Sequence, residues 1–147
     1  MNYQDLLDSE TKRLDAINNV NAEKKRNKAE LVMETLTKLE DFFDFLNNKY
    51  NFRNGAQTHM VSGGMANLEF NKDRFKDKTS ATFGLFTELI VISVTDNFEV
   101  KINYGYMNSD RIEHSIEGLI NTVIKKIAAY NDLINRGGIH SAKLSEK

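Results

Sequence analysis

The chain has 147 residues, 40% of them hydrophobic, and its 20 basic and 21 acidic residues give a formal net charge of −1. That length fits one domain with a packed core and a well-solvated surface. The complete absence of cysteine excludes disulfide scaffolds, thiolate catalysis and zinc fingers, and the near-zero charge argues against a chain devoted to nucleic acid, whose affinity would come mainly from neutralising phosphate.

No apolar run approaches the roughly 18 residues of a membrane span; the longest, Leu89-Ile90-Val91-Ile92, is interrupted at Ser93. The polar start Met1-Asn2-Tyr3-Gln4-Asp5 carries no signal-peptide pattern. Together these features predict a soluble, cytoplasmic protein. A chain rich in Asn, Lys and Ile is what an A/T-rich gene produces, as in many phages and some bacteria.

The pattern predicts an α+β protein in the order helix, antiparallel sheet, helix, with residues 1–147 forming one domain. Residues 1–48 read as a helical arm. From Tyr3 to Val20 the apolar positions Tyr3, Leu6, Leu7, Leu14, Ile17 and Val20 fall on one thin stripe, closer to a coiled-coil seam than to a core-facing helix. A polar stretch follows, Asn21 to Lys28, with almost nothing to bury. Apolar spacing then resumes with Leu31, Val32, Leu36, Leu39, Phe42, Phe43, Phe45 and Leu46, a wider stripe suited to packing on the body of the domain. No Pro or Gly breaks Tyr3 to Leu46, so the segment is one helix or two joined in the polar middle. One uninterrupted helix would span about 65 Å, so it must project or pair with another chain. A stop is expected near Asn47-Asn48, with a loop from there to Gln57 marked by Asn54-Gly55.

Residues 57–106 read as an antiparallel sheet of three to four strands. Runs at His59–Val61 and Met65–Phe70 flank Ser62-Gly63-Gly64 as a hairpin. Residues 71–78 form a charged loop. Ser80 to Thr95 is β-rich, with Gly84 as a bulge or bend, and Leu85–Thr95 is expected to be a central strand. Asp96-Asn97 is read as a two-residue turn and Phe98–Tyr106 as an edge strand. That register sets Ser93 opposite Val100, Val91 opposite Ile102 and Leu89 opposite Tyr104 on the core face. It leaves Phe86, Ile90, Ile92 and Val94 needing cover from the N-terminal helix or from a second subunit. Asn108-Ser109-Asp110 reads as an N-cap cluster for a helix over 109–136 that buries Ile112, Ile116, Leu119, Ile120, Val123, Ile127, Leu133 and Ile134. Arg136-Gly137-Gly138 ends it, and residues 139–147 read as a flexible tail.

Chemistry-bearing residues are sparse. His59, His114 and His140 share no metal-ligand or acid–base spacing. Glu40, Asp41 and Asp44 alternate with Phe42, Phe43 and Phe45 and so read as the solvent face of an amphipathic helix. The glycine pairs fit neither a phosphate loop nor a dinucleotide fingerprint. Tyr104 and Tyr106 are read as core-side residues of the edge strand. No catalytic residue, cofactor or metal ligand is expected, and no motif resembles that of a known family.

Two functional expectations remain. The first is a non-enzymatic binding or regulatory protein acting through protein–protein contacts as a homo-oligomer, with a dimer the simplest form and a host protein as the partner of a small phage or mobile-element product. Its interface candidates are Tyr3, Leu7, Leu14 and Ile17 on the stripe and Phe86, Ile90, Ile92 and Val94 on the sheet. The alternative is a DNA- or RNA-binding protein using Lys24, Lys25, Arg26 and Lys28 together with Arg74, Phe75 and Lys76, where an aromatic lies between cations.

Overall fold

The computed structural model describes residues 2–52, 67–135 and 146. The first strand and the turn of the predicted hairpin with the start of its second strand (59–66), the Asn54-Gly55 turn, the Gly137-Gly138 cap, the tail at 139–145 and 147, and both His59 and His140 lie outside the described residues. So do the side chains of Leu133 and Ile134. The rest of that second strand, 67–70, is no regular strand and carries an isolated bridge from Leu68 to Leu85.

The N-terminal segment is one helix, α1, running Tyr3–Lys49, about 70 Å long. Asn2 caps it: its side-chain oxygen accepts from the amides of Gln4 at 3.0 Å and Asp5 at 3.2 Å, satisfying donors that have no partner inside the helix. At the other end Tyr50 turns extended, and its amide donates to the Leu46 carbonyl at 2.9 Å. The two stripes divide the helix. Residues 2–27 are exposed throughout, whereas Ala29, Val32, Thr35, Leu36, Leu39, Phe43 and Leu46 are buried. The first half of α1 is an arm beyond the body, and the second half is a core helix.

The sheet is four-stranded and antiparallel in the order β1 (Ser80–Leu85), β2 (Glu88–Val94), β3 (Val100–Gly105), β4 (Ile112–His114), closed by α2 over Ile116–Asn135. The α+β architecture is as the sequence predicts, but its strands divide differently. Ser80–Thr95 is two strands around a two-residue turn, Phe86-Thr87, because Leu85 pairs with Glu88. Phe86 adopts φ 60° there, a left-handed conformation disfavoured for any residue with a Cβ. Asn67 holds it: its side-chain amide donates to the Phe86 carbonyl at 3.0 Å, and the Phe86 amide donates to the Asn67 carbonyl at 2.6 Å. Gly84 is no bulge. It pairs regularly with Leu89, and its carbonyl accepts from the Glu69 amide at 2.9 Å. The absence of a Cβ leaves room for the Asn67–Glu69 segment, whose side chains lie about where that carbon would stand.

The β2–β3 hairpin corrects the predicted register by one residue. Thr95 and Glu99 close a three-residue loop, Asp96-Asn97-Phe98, with Phe98 at φ 60°, the left-handed position that such loops require. Ile90 then pairs with Tyr104, Ile92 with Ile102 and Val91 with Asn103. A slip of one residue turns a strand over. Ile90 and Ile92 therefore face inward with Ala81, Phe83, Leu85, Ile102 and Tyr104, while Thr82, Val91, Asn103 and Glu113 share the opposite face. That outer face is largely polar, as in an antiparallel sheet covered on one side.

The expected edge strand is also displaced. Ile112, Glu113 and His114 are strand, not helix, and pair outside β3. Asn108–Asp110 belong to the preceding turn, where the amides of Asp110 and Arg111 both donate to the Met107 carbonyl at 3.0 Å. Gly105 permits this return, since a Cβ there would stand 2.6 Å from the Asp110 carbonyl oxygen. The cap of α2 is Ser115, whose hydroxyl accepts from the Gly118 amide at 3.0 Å. Ile112 is exposed rather than buried, and the helix stripe proper is Leu119, Val123 and Ile127, with Ile116 and Ile120 partly buried beside it. Both helices lie on the inward face of the sheet and share one hydrophobic core.

Candidate functional site

The residues proposed for an interface fall into two groups with different fates. Phe86, Ile90 and Ile92 are buried to within 1% and Val94 packs beside them. Their cover is the chain's own helices, and the half-apolar outer face that the predicted register implied does not exist. Tyr3, Leu7, Leu14 and Ile17 stand on the arm, joined by Leu6 and Val20, with exposures from 43% at Ile17 to 77% at Tyr3. Nothing within the described residues packs on them.

The arm is otherwise built to be a stable helix without help. Gln4 donates to Asp8 at 2.9 Å one turn on, and Arg13 reaches back to Glu10 with its Nε 3.0 Å from Oε2. The Arg13 guanidinium holds the Glu10 carboxyl below its ordinary pKa.

Two basic clusters that are some fifty positions apart in sequence converge. Lys25, Arg26 and Lys76 line one groove of about 530 Å³ between α1 and the loop that follows the 3-10 turn Lys72–Phe75, together with Ala29, Glu30, Met33 and Asp77. Of the remaining members, Lys24 is exposed on the arm and the others are engaged elsewhere. Lys28 bonds Asp96 at 2.9 Å, joining the helix to the β2–β3 loop, and this ammonium lowers the Asp96 pKa. Lys72 pairs with Glu40 at 3.1 Å. Phe75 is turned inward, its ring 6.2 Å from that of Phe83, with the Arg74 guanidinium 5.9 Å from its face. The aromatic that looked like a stacking platform for bases is therefore an anchor for its own loop.

Of the acidic cluster, Glu40, engaged by Lys72, borders one cleft together with Asp44 and Glu69, and Asp41 is exposed. Among the described residues no group of three or more His, Asp or Glu side chains is placed to hold a metal ion. No helix among the described residues is long and apolar enough to cross a membrane.

His114 lies on β4 opposite Ile102 and borders a cleft of about 390 Å³ that also meets Glu88, Asp110 and Lys126. Among the described residues no hydrogen bond joins it to a carboxylate. Tyr104 is buried and Tyr106 is exposed. The same cleft holds an arrangement with no sequence signal. Lys126 of α2 forms a close ion pair with Glu88 of β2, and its ammonium lies 5.3 Å from the Tyr104 ring and 5.9 Å from the Phe86 ring. Burial pushes its pKa below the ordinary lysine value. The four side chains pin α2 to the first two hairpins, and no spacing rule connects positions 86, 88, 104 and 126.

Comparison with known proteins found no family that matches the chain, no matching curated protein and no matching solved structure.

Proposed function

We propose that this chain is a non-enzymatic binding protein that acts through protein–protein contacts, and that the arm of α1 is where it joins copies of itself. The observation that carries this reading is the stripe of six apolar side chains on a helix that leaves the body. An exposed apolar stripe of that kind on a chain in water, here interrupted midway at Glu10, is characteristic of an interaction site. The near-neutral charge and the absence of cysteine fit work in the cytoplasm. Light scattering on the purified chain tests the reading: it expects a mass of two or more chains at micromolar concentration. A strictly single-chain mass up to about 100 μM, the weak end of protein association, removes it.

A second reading, contact with DNA or RNA, is favoured by one observation, the convergence of Lys25, Arg26 and Lys76 on a single groove. Three cations engaging phosphates would give affinity for a duplex that falls with salt at a log–log slope of about −3. Reversing the charges with Lys25→Glu and Arg26→Glu is expected to abolish that binding in a fluorescence-anisotropy titration. Equal binding by wild type and variant rules the reading out.

A further inference from the structure

We infer that two copies of the chain pair antiparallel along their arms, each laying the first turns of its α1 along the other's arm, on the side of that helix where the other's body lies. This rests on the self-association proposed above and adds to it an orientation, a register and a reason for both.

The orientation follows from the phase of α1. Leu7 and Phe43 are separated by a whole number of turns, as are Tyr3 and Leu39, about ten at 3.6 residues per turn. Leu14 and Val32, and Ile17 and Thr35, are separated by about five. Val32, Thr35, Leu39 and Phe43 are buried against the body. The exposed stripe on the arm therefore points to the same side of the helix as the body does. A helix lying on that stripe has free run only up to Lys28, where the chain's own body begins. In a parallel pair both bodies would lie on the inner side at one level and collide. In an antiparallel pair they lie at opposite ends.

The register follows from the side chains. Setting Leu7 level with Ile17 of the second copy puts Tyr3 level with Asn21 and Leu14 level with Glu10. Each helix start then ends about two turns short of the other body, so the arm is long enough for the contact and little longer. Glu10 and Arg13, already paired within one chain, stand on either side of the two-fold axis. Reversal of the second helix brings each Glu10 within about one residue's rise of the other chain's Arg13, so two negative and two positive charges alternate around the axis. The positions flanking the seam on one side, Gln4, Thr11 and Asn18, are uncharged and repel nothing.

The area is sufficient. Covering the six apolar side chains removes roughly 600 Å² of apolar surface from each copy, at about 100 Å² per residue. A stable interface buries about 800 Å² per partner, rather more than half of it apolar. A second copy supplies that area because it carries the same stripe.

The chain has no cysteine, so introduced ones report neighbours directly. Full-length Gln4→Cys and Asn18→Cys chains are oxidised separately and as a mixture, at a concentration where light scattering gives the dimer mass, and covalent dimers are counted on a non-reducing gel. The mixture is expected to exceed either chain alone by about tenfold or more, because pairing raises the effective concentration of the two thiols. Thr11→Cys, near the midpoint, is expected to cross-link with its own kind. A dimer that cross-links through Gln4→Cys alone overturns the antiparallel order while leaving self-association standing, as does a dimer whose mixture gives no excess. A single-chain mass removes self-association and the pairing with it.

Discussion

Truncation of Phe43 to alanine lowers the stability of the fold by about 3–5 kcal/mol, the range for a large aromatic removed from a packed core. Phe43 is fully buried, and its ring meets those of Phe42 at 5.5 Å, Phe70 at 4.9 Å and Phe83 at 5.6 Å, the last edge-on. These rings come from α1, from the segment before the 3-10 turn and from β1, so the cluster is where the long helix is fastened to the sheet. Phe42 and Phe83 are fixed by their own helix and strand, which limits how far they can close the space left behind. Domains of this size are stable by about 5–15 kcal/mol in all, so the loss is a large share of the total. Urea unfolding followed by tyrosine fluorescence measures it as a lowered midpoint at unchanged slope. A loss below about 1 kcal/mol, the size of an ordinary surface substitution, would mean that the helix is fastened elsewhere.

The parts of this fold that were legible in the sequence are those where periodicity is long and chemistry is local. Leu36, Leu39, Phe43 and Leu46, and Leu119, Val123 and Ile127, announce their buried faces by spacing alone, and the structure buries all seven, although Phe45, read into the same stripe, stands exposed. The thin stripe from Tyr3 to Val20 was legible as something different from a core face, and it is exposed. What was not legible lies in the turns. Both central hairpins place phenylalanine at a positive φ, where turn chemistry favours Gly, Asn or Asp. Phe86 therefore read as one more strand residue and concealed a turn, and Phe98 read as the start of a strand when it was the end of a loop. The second error moved the register by one and turned β2 over, which created an apolar outer face that the molecule does not have.

The N-terminus of α2 failed for a related reason. Ile112 and Ile116 are four apart, as in a helix, and Asn108-Ser109-Asp110 offers more capping groups than the single Ser115 that does the capping. A three-residue strand between them leaves no periodic trace. Of the candidate sites, the basic clusters were visible as composition, but their convergence depends on how the 72–78 loop packs against α1. The Glu88–Lys126 pair depends on tertiary contact between elements far apart in sequence and had no local signal at all.

Leu14→Ala is expected to do the opposite of Phe43→Ala. It weakens self-association by about 2–5 kcal/mol, the scale for a leucine removed from a packed site, and the lower end of that range is already about a thirtyfold rise in the dissociation constant. Leu14 makes no contribution to the core of its own chain: it is 47% exposed and stands on the arm, well before the first buried position at Ala29. Alanine is the strongest helix former, so the arm keeps its helix and the change isolates the contact. By two-fold symmetry each dimer loses two copies of the side chain, one on either side of the axis and each level with the other chain's Glu10, which places the effect near the high end. Sedimentation equilibrium measures the dissociation constant, and unfolding of the diluted single chain at an unchanged urea midpoint shows that the body is untouched. Phe43→Ala moves the midpoint through the body, and Leu14→Ala moves the mass through the arm. An unchanged dissociation constant in Leu14→Ala would place any dimer contact off the stripe and take the antiparallel arm pair with it.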